Sequence, residues 1–103
     1  MLTMFESDVG RIRGEVNPDL GLVVHVDIYK WDPESFEQAQ QEFDFFVGEC
    51  KANNVPALFA GIPKTDKKNQ KFATMFGFEE TDRIFLDAEG KYLQTVWIYP
   101  IEE

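Results

Sequence analysis

The sequence predicts a single α+β domain over residues 1–103, a central mixed sheet with two helices in the order β-β-β-α-β-α-β-β. Three observations lead there. Leu22 to Trp31 alternates, with Val24, Val26 and Ile28 on one side and Val23, His25, Asp27 and Tyr29 on the other, a period of two that only a strand explains. Phe36, Ala39, Phe43, Phe46, Val47 and Cys50 recur at steps of three and four, the apolar stripe of an amphipathic helix. Ala57 to Ile62 is apolar without alternation, as a strand covered on both faces is. Strand, helix, strand in this order makes a right-handed crossover, so the two strands run parallel and lie adjacent or nearly so.

The other elements follow from local chemistry. Val9 to Val16 reads as a strand, and Asn17-Pro18-Asp19-Leu20-Gly21 has the residues of a chain reversal leading into the next one. Asp32-Pro33-Glu34-Ser35 starts the first helix: Asp32 caps free amides and Pro33 tolerates the first helical position, with Ser35 and Gln38 as an alternative capping box. Glu37, Gln41, Glu42 and Glu49 then face water. The helix ends near Asn53-Asn54, ahead of Val55-Pro56. Asp66 to Phe76 is a second helix closed by Gly77, with Phe78 supplying the apolar contact of a Schellman ending. Thr81 to Asp87 and Tyr92 to Tyr99 flank the turn Asp87-Ala88-Glu89-Gly90 as a terminal hairpin.

Composition narrows the function. At 44% hydrophobic residues, ten of them Phe, the chain has apolar surface enough to fold rather than stay disordered. A net charge of -9 opposes a grip on nucleic-acid phosphates or anionic lipid. The lone Cys50 closes no intrachain disulfide, and with His25 as the one nitrogen partner it makes no metal framework; its place on the helix stripe reads as packing. No run approaches about 20 apolar residues, and Met1 to Phe5 is too short for a signal core, so a soluble, non-secreted chain is expected. Lys64, Lys67, Lys68 and Lys71 form the one basic island, read as the solvated face of the short helix.

The element order, together with Phe72-Ala73-Thr74-Met75-Phe76-Gly77-Phe78, resembles the C-terminal two thirds of the GNAT superfamily of N-acyltransferases, in which a helix closes on Gly-Phe before the last hairpin. The resemblance implies a cut-down member, without the family's first strand and first two helices. Such short forms are similar to GNAT-like proteins of tailed bacteriophages, which implies a cytoplasmic or virion-associated place. It also implies a degenerate acyl-CoA site. The family grips the coenzyme A pyrophosphate with a Gly-rich loop at the start of the helix after its fourth strand, where this chain has Tyr29-Lys30-Trp31-Asp32-Pro33-Glu34-Ser35, without Gly and with carboxylates where the anion lies. The family's Tyr general acid, four residues before the Gly of Gly-Phe, is Ala73 here.

These readings lead to a non-catalytic binding or assembly module with a protein partner, no cofactor and no catalytic residues. Trp31, Asp32, Glu34 and Glu37 are the candidate interaction surface. Two alternatives stand beside it. One is a divergent N-acyltransferase using acetyl-CoA through His25, which has Asp27 on its own strand face, or through Tyr29; the other is an acidic inhibitor that mimics nucleic acid. The resemblance places a cleft between Leu22–Trp31 and Ala57–Ile62, flanked by Trp31 and Phe36, which is expected to be narrow or filled by apolar side chains.

Overall fold

The computed structural model describes residues 2–101. Its elements are β1 (Leu2–Glu6), β2 (Gly10–Asn17), β3 (Gly21–Ile28), α1 (Pro33–Ala52), β4 (Ala57–Ile62), α2 (Lys67–Phe76), β5 (Glu79–Leu86) and β6 (Tyr92–Pro100). They form an α+β fold around one six-stranded sheet of order β1-β2-β3-β4-β6-β5. β3 and β4 are parallel, and every other neighbouring pair is antiparallel.

Strand register decides what faces the helices. Leu22 aligns with Leu58, and Leu58 with Tyr99, so Leu22, Val24, Val26 and Ile28 share a face with Leu58, Ala60 and Ile62 and with Trp97 and Tyr99. Both helices pack on that face. Phe43 of α1 lies 5.3 Å from the ring of Phe76 on α2 and 5.3 Å from that of Tyr99 on β6, which ties the two helices and the sheet into one core with Leu58 at its centre. The α1 stripe is buried as the spacing requires at Ala39, Phe43, Phe46 and Cys50, with Phe36 and Val47 partly covered.

The helix ends follow their local chemistry. Asp32 Oδ1 accepts from the Ser35 amide at 2.9 Å, and the Ser35 hydroxyl donates to Asp32 Oδ2 at 2.9 Å. The alternative Ser35–Gln38 box does not form, because the Gln38 amide donates to Glu42 instead. Glu42 also accepts from the Ser7 hydroxyl and is half-buried, which corrects the expectation that it faces water. Asn53 caps α1, and Asn54 takes the left-handed backbone at φ 63° before Pro56. At the end of α2, Gly77 sits at φ 104° while the Phe78 amide donates to Ala73 and the Gly77 amide to Thr74, a Schellman closure.

The amide and hydroxyl of Ser35 hold the Asp32 carboxyl below the ordinary carboxylate range. Stability from this cap is therefore present above the unfolded carboxyl's pKa and is lost as pH falls through the depressed folded value. Asp32→Ala is expected to lower the thermal midpoint by about 5 °C near pH 7. The gap between wild type and variant should close below about pH 4. Thermal unfolding followed by circular dichroism across pH checks both.

Two strand boundaries differ from the sequence reading. β3 ends at Ile28 rather than Trp31, because only the Tyr29 amide still bonds to the β2 side, at Val9, and the chain then turns into the helix cap. β5 begins at Glu79, directly behind the Gly77 turn, and carries an irregular pairing between Glu80 and Ile84, where the Thr81 hydroxyl donates to the Val96 carbonyl. The short apolar β1 at the sheet edge was not separately located by the periodicity. Among the described residues, no helix is long and apolar enough to cross a membrane.

Candidate functional site

The site begins where a ladder stops. β3 and β4 pair only through Leu22↔Leu58 and Val23↔Phe59. On their far sides β3 stays paired to β2 as far as Ile28, and β4 to β6 as far as Ile62. The two parallel strands are thus held by their outer neighbours while they part from each other. Backbone groups of 24–28 and 60–62 that face the gap have no sheet partner across it, an arrangement stable only where water or another chain supplies one.

The gap opens into a cleft of about 530 Å³. Val26, Ile28, Ile62, Phe72, Ala73 and Phe76 give it apolar walls, while His25, Asp27, Asp66, Lys68, Asn69 and Gln94 make nearly as much of its lining polar. A concave space that joins apolar walls to polar groups is a common form of a binding site. This corrects the expectation of a narrow or plugged cleft. The small residues Ala60, Gly61 and Ala73 on its walls leave the space unfilled. Trp31, the one indole at hand, is drawn aside: its ring stacks on Phe72 at 4.0 Å, with Lys68 Nζ 5.0 Å from the ring centroid. Phe36 does not flank the mouth but turns inward against Phe76, at 5.4 Å.

The start of α1 lies beside the Trp31 wall, and the amides of Ser35 and Phe36 are already used. Asp32 takes the Ser35 amide, the Asp32 carbonyl takes that of Phe36, and Pro33 has no N–H. Helix N-termini attract anions through free amides. A carboxylate already occupies this one.

On the face opposite the helices, Asp27 gathers three partners. Arg11 Nε lies 2.8 Å from its carboxylate, Arg13 Nη2 3.2 Å and His25 Nε2 3.3 Å. Partial burial pushes the Asp27 carboxyl upward, but the Arg11 hydrogen bond and the charges of His25 and Arg13 outweigh it and hold the group below the usual range. The Tyr29 hydroxyl donates to Glu6 at 2.7 Å, which pushes the phenol's pKa up. The pairing of His25 with Asp27 read from their i, i+2 spacing is present, and the two arginines extend it. No Ser, Thr, Cys or Tyr lines the cleft among the described residues. Cys50 lies buried in the core, its thiol pushed up by burial and then by Glu49.

Of the four residues singled out as an interaction surface, Trp31 is a wall of the cleft, and the Asp32 carboxylate is committed to the cap. Glu34 and Glu37 are exposed on the first turns of α1. The structure adds Phe72 and Lys68, which no spacing links to Trp31. Lys68 is exposed, as the reading of a solvated face expects, and it also lines the cleft. A scan against protein-family models finds none that matches this chain, and a search of curated proteins returns no match.

Proposed function

We propose that the chain is a non-catalytic, GNAT-like binding module that holds an extended segment of a partner protein in the cleft between β3 and β4. The observation that carries this reading is the ladder's end at Val23 and Phe59, beyond which both strands offer backbone edges along an open cleft. An extended segment laid there gains main-chain hydrogen bonds. Its side chains alternate, one set directed to Phe72 and Phe76 and the other toward solvent. The GNAT-like order and parting strands support the family reading, and the likeness to phage proteins extends it to a part in virion assembly.

The Asp32 carboxylate at the start of α1 and the methyl of Ala73 in the cleft wall argue against acyl transfer, since the first competes with a pyrophosphate for the same amides and the second offers no hydroxyl acid. The His25–Asp27 pair on the cleft wall is what favours the runner-up, an acyltransferase with His25 as base.

Nuclear magnetic resonance titration separates the two. A short peptide alternating Val and Thr is expected to shift amides of 24–28 and 60–62, and Ala73→Trp, which fills the cleft, is expected to abolish those shifts in a folded protein. Coenzyme A is expected to give no calorimetric signal at millimolar concentration. Turnover of acetyl-CoA with a panel of amines would transfer the assignment to the acyltransferase, and a peptide that leaves 24–28 and 60–62 unmoved would remove the module reading.

A further inference from the structure

Both helices lie on one face of the sheet, and among the described residues no element covers the other, so the cleft has an outer rim open to water. Register identifies what that rim carries. Val23 pairs with Phe59, so two positions further along, where the strands have parted, His25 and Gly61 stand level across the gap on the outer face. The backbone directions follow from the bonds on the far sides. The Tyr29 amide donates to Val9 and the Ile101 amide to Pro56, and alternate residues of an antiparallel ladder turn the same way. Val26 and Ile28 of β3 and Gly61 of β4 therefore aim their backbone groups into the gap. Whichever way an added segment runs, its residue level with Gly61 shares that residue's face. Its side chain then stands on the outer rim, between His25 and Gly61.

Gly61 has no side chain, and Gln94 occupies its place. A Cβ at Gly61 would overlap Gln94 Oε1 and stand 2.9 Å from Gln94 Cδ and 3.1 Å from Phe85 Cδ2. Gln94 lies two residues before Val96, the partner of Gly61, on the same face of β6, and leans back across the glycine to line the cleft. The polar side chains near it are engaged elsewhere, Thr81 with the Val96 carbonyl and Tyr92 with Thr95, and the half-buried Gln94 amide has no hydrogen-bond partner among the described residues. An amide in that state forgoes bonds that water would make. A second primary amide satisfies its donor and its acceptor at once, through two N–H···O bonds closed in a ring, whereas a carboxylate only accepts and an ammonium only donates. Arg11 and Arg13 share this face with Glu6, Glu15 and Asp27, so the signs are mixed and no strong field favours an ion over a neutral group.

We propose that Gln94, seated on Gly61, selects partner segments that carry a primary amide, Asn or Gln, at the outward position level with His25, between apolar residues that face Phe72 and Phe76. This rests on the reading of the cleft as a site for an extended segment and adds the identity of one residue of that segment. Neighbouring strands set facing Cβ atoms about 5 Å apart, within reach of two amide side chains. The absence of a side chain at Gly61 is what lets Gln94 reach the rim. Oε1 is the far end of a flexible side chain, so Gly61→Ala pushes Gln94 aside without removing the N–H and C=O that β4 offers the segment.

Nuclear magnetic resonance titration of the full chain tests it with two end-blocked peptides, Thr-Val-Asn-Val-Thr and Thr-Val-Leu-Val-Thr, which differ in hydrogen bonding but little in shape. The wild type is expected to bind the Asn peptide about tenfold more tightly than the Leu peptide, the worth of two modest hydrogen bonds. In Gln94→Leu that ratio is expected to fall to within about twofold. Gly61→Ala is expected to lose it in the same way, and it reads the contact even if Gln94→Leu fails to fold. A wild type that takes both peptides equally, or a ratio that survives in either folded variant, overturns the proposal and leaves the cleft as a site for extended segments. Binding of neither peptide overturns both readings.

Discussion

Phe43→Ala is expected to remove most of the stability of this domain. Phe43 is 2% exposed, and its ring meets Phe76, Phe78 and Tyr99 at centroid distances of 5.3 to 5.8 Å. Through these rings it touches α2, the segment behind it and β6 at once, so its loss leaves a cavity bordered by several elements. Truncating a buried Phe costs about 3 to 5 kcal/mol, against about 5 to 15 kcal/mol for a whole domain. For a chain of this size the thermal midpoint should fall by on the order of 20 °C. Phe45→Ala, two residues along the same helix but 62% exposed, should change stability by less than about 0.5 kcal/mol. Thermal unfolding of the two variants side by side checks the claim, and equal midpoints would mean that α1 does not pack as described.

The burial of Phe43 was legible in the sequence, since the stripe that carries it follows from a 3.6-residue period. So were the Asp32 cap, the Gly77-Phe78 ending and the bounds of β4, because each depends on a few adjacent residues whose backbone chemistry is local. The cleft was read wrongly for the opposite reason. Whether it is open depends on where the β3–β4 ladder stops and on which way Trp31 turns, and Trp31 is held by Phe72 and Lys68 from α2. Those contacts join residues remote in sequence, and neither periodicity nor motif encodes them. The uncovered sheet face was hidden in a similar way. Ala57 to Ile62 has the unalternating pattern of a strand covered on both faces, yet within one chain the helices cover only one.

Gly10→Ala is the second large effect expected, and it acts on the wall of the cleft. Gly10 lies in β2 opposite Ile28, and a Cβ there would sit 2.5 Å from the Asp27 carbonyl oxygen and 3.6 Å from the Ile28 Cα. Both are backbone atoms of the paired strand, so no side-chain rotation relieves the overlap; β2 and β3 must part locally. Parting them strains the Tyr29 amide's bond to the Val9 carbonyl, at 2.8 Å, and shifts the Asp27 carboxylate that Arg11, Arg13 and His25 share. Overpacking of this kind costs about 1 to 3 kcal/mol, or about 10 °C in the midpoint of a domain this size. The folded Asp27 carboxyl is depressed, so its contribution to stability is present above the unfolded carboxyl's pKa and is lost as pH falls through the folded value. A variant that displaces Asp27 has less of that contribution to lose, and its deficit against wild type should shrink below about pH 4. Asp27 and Ile28 also line the cleft, so peptide-induced shifts at 24–28 should weaken in the same variant at neutral pH. Gly48→Ala is the matched control: a Cβ at that position in α1 meets nothing within 4 Å, and the helical backbone should gain up to about 1 kcal/mol. If Gly10→Ala proves as harmless as Gly48→Ala, β2 and β3 do not approach at Asp27 as closely as this register requires.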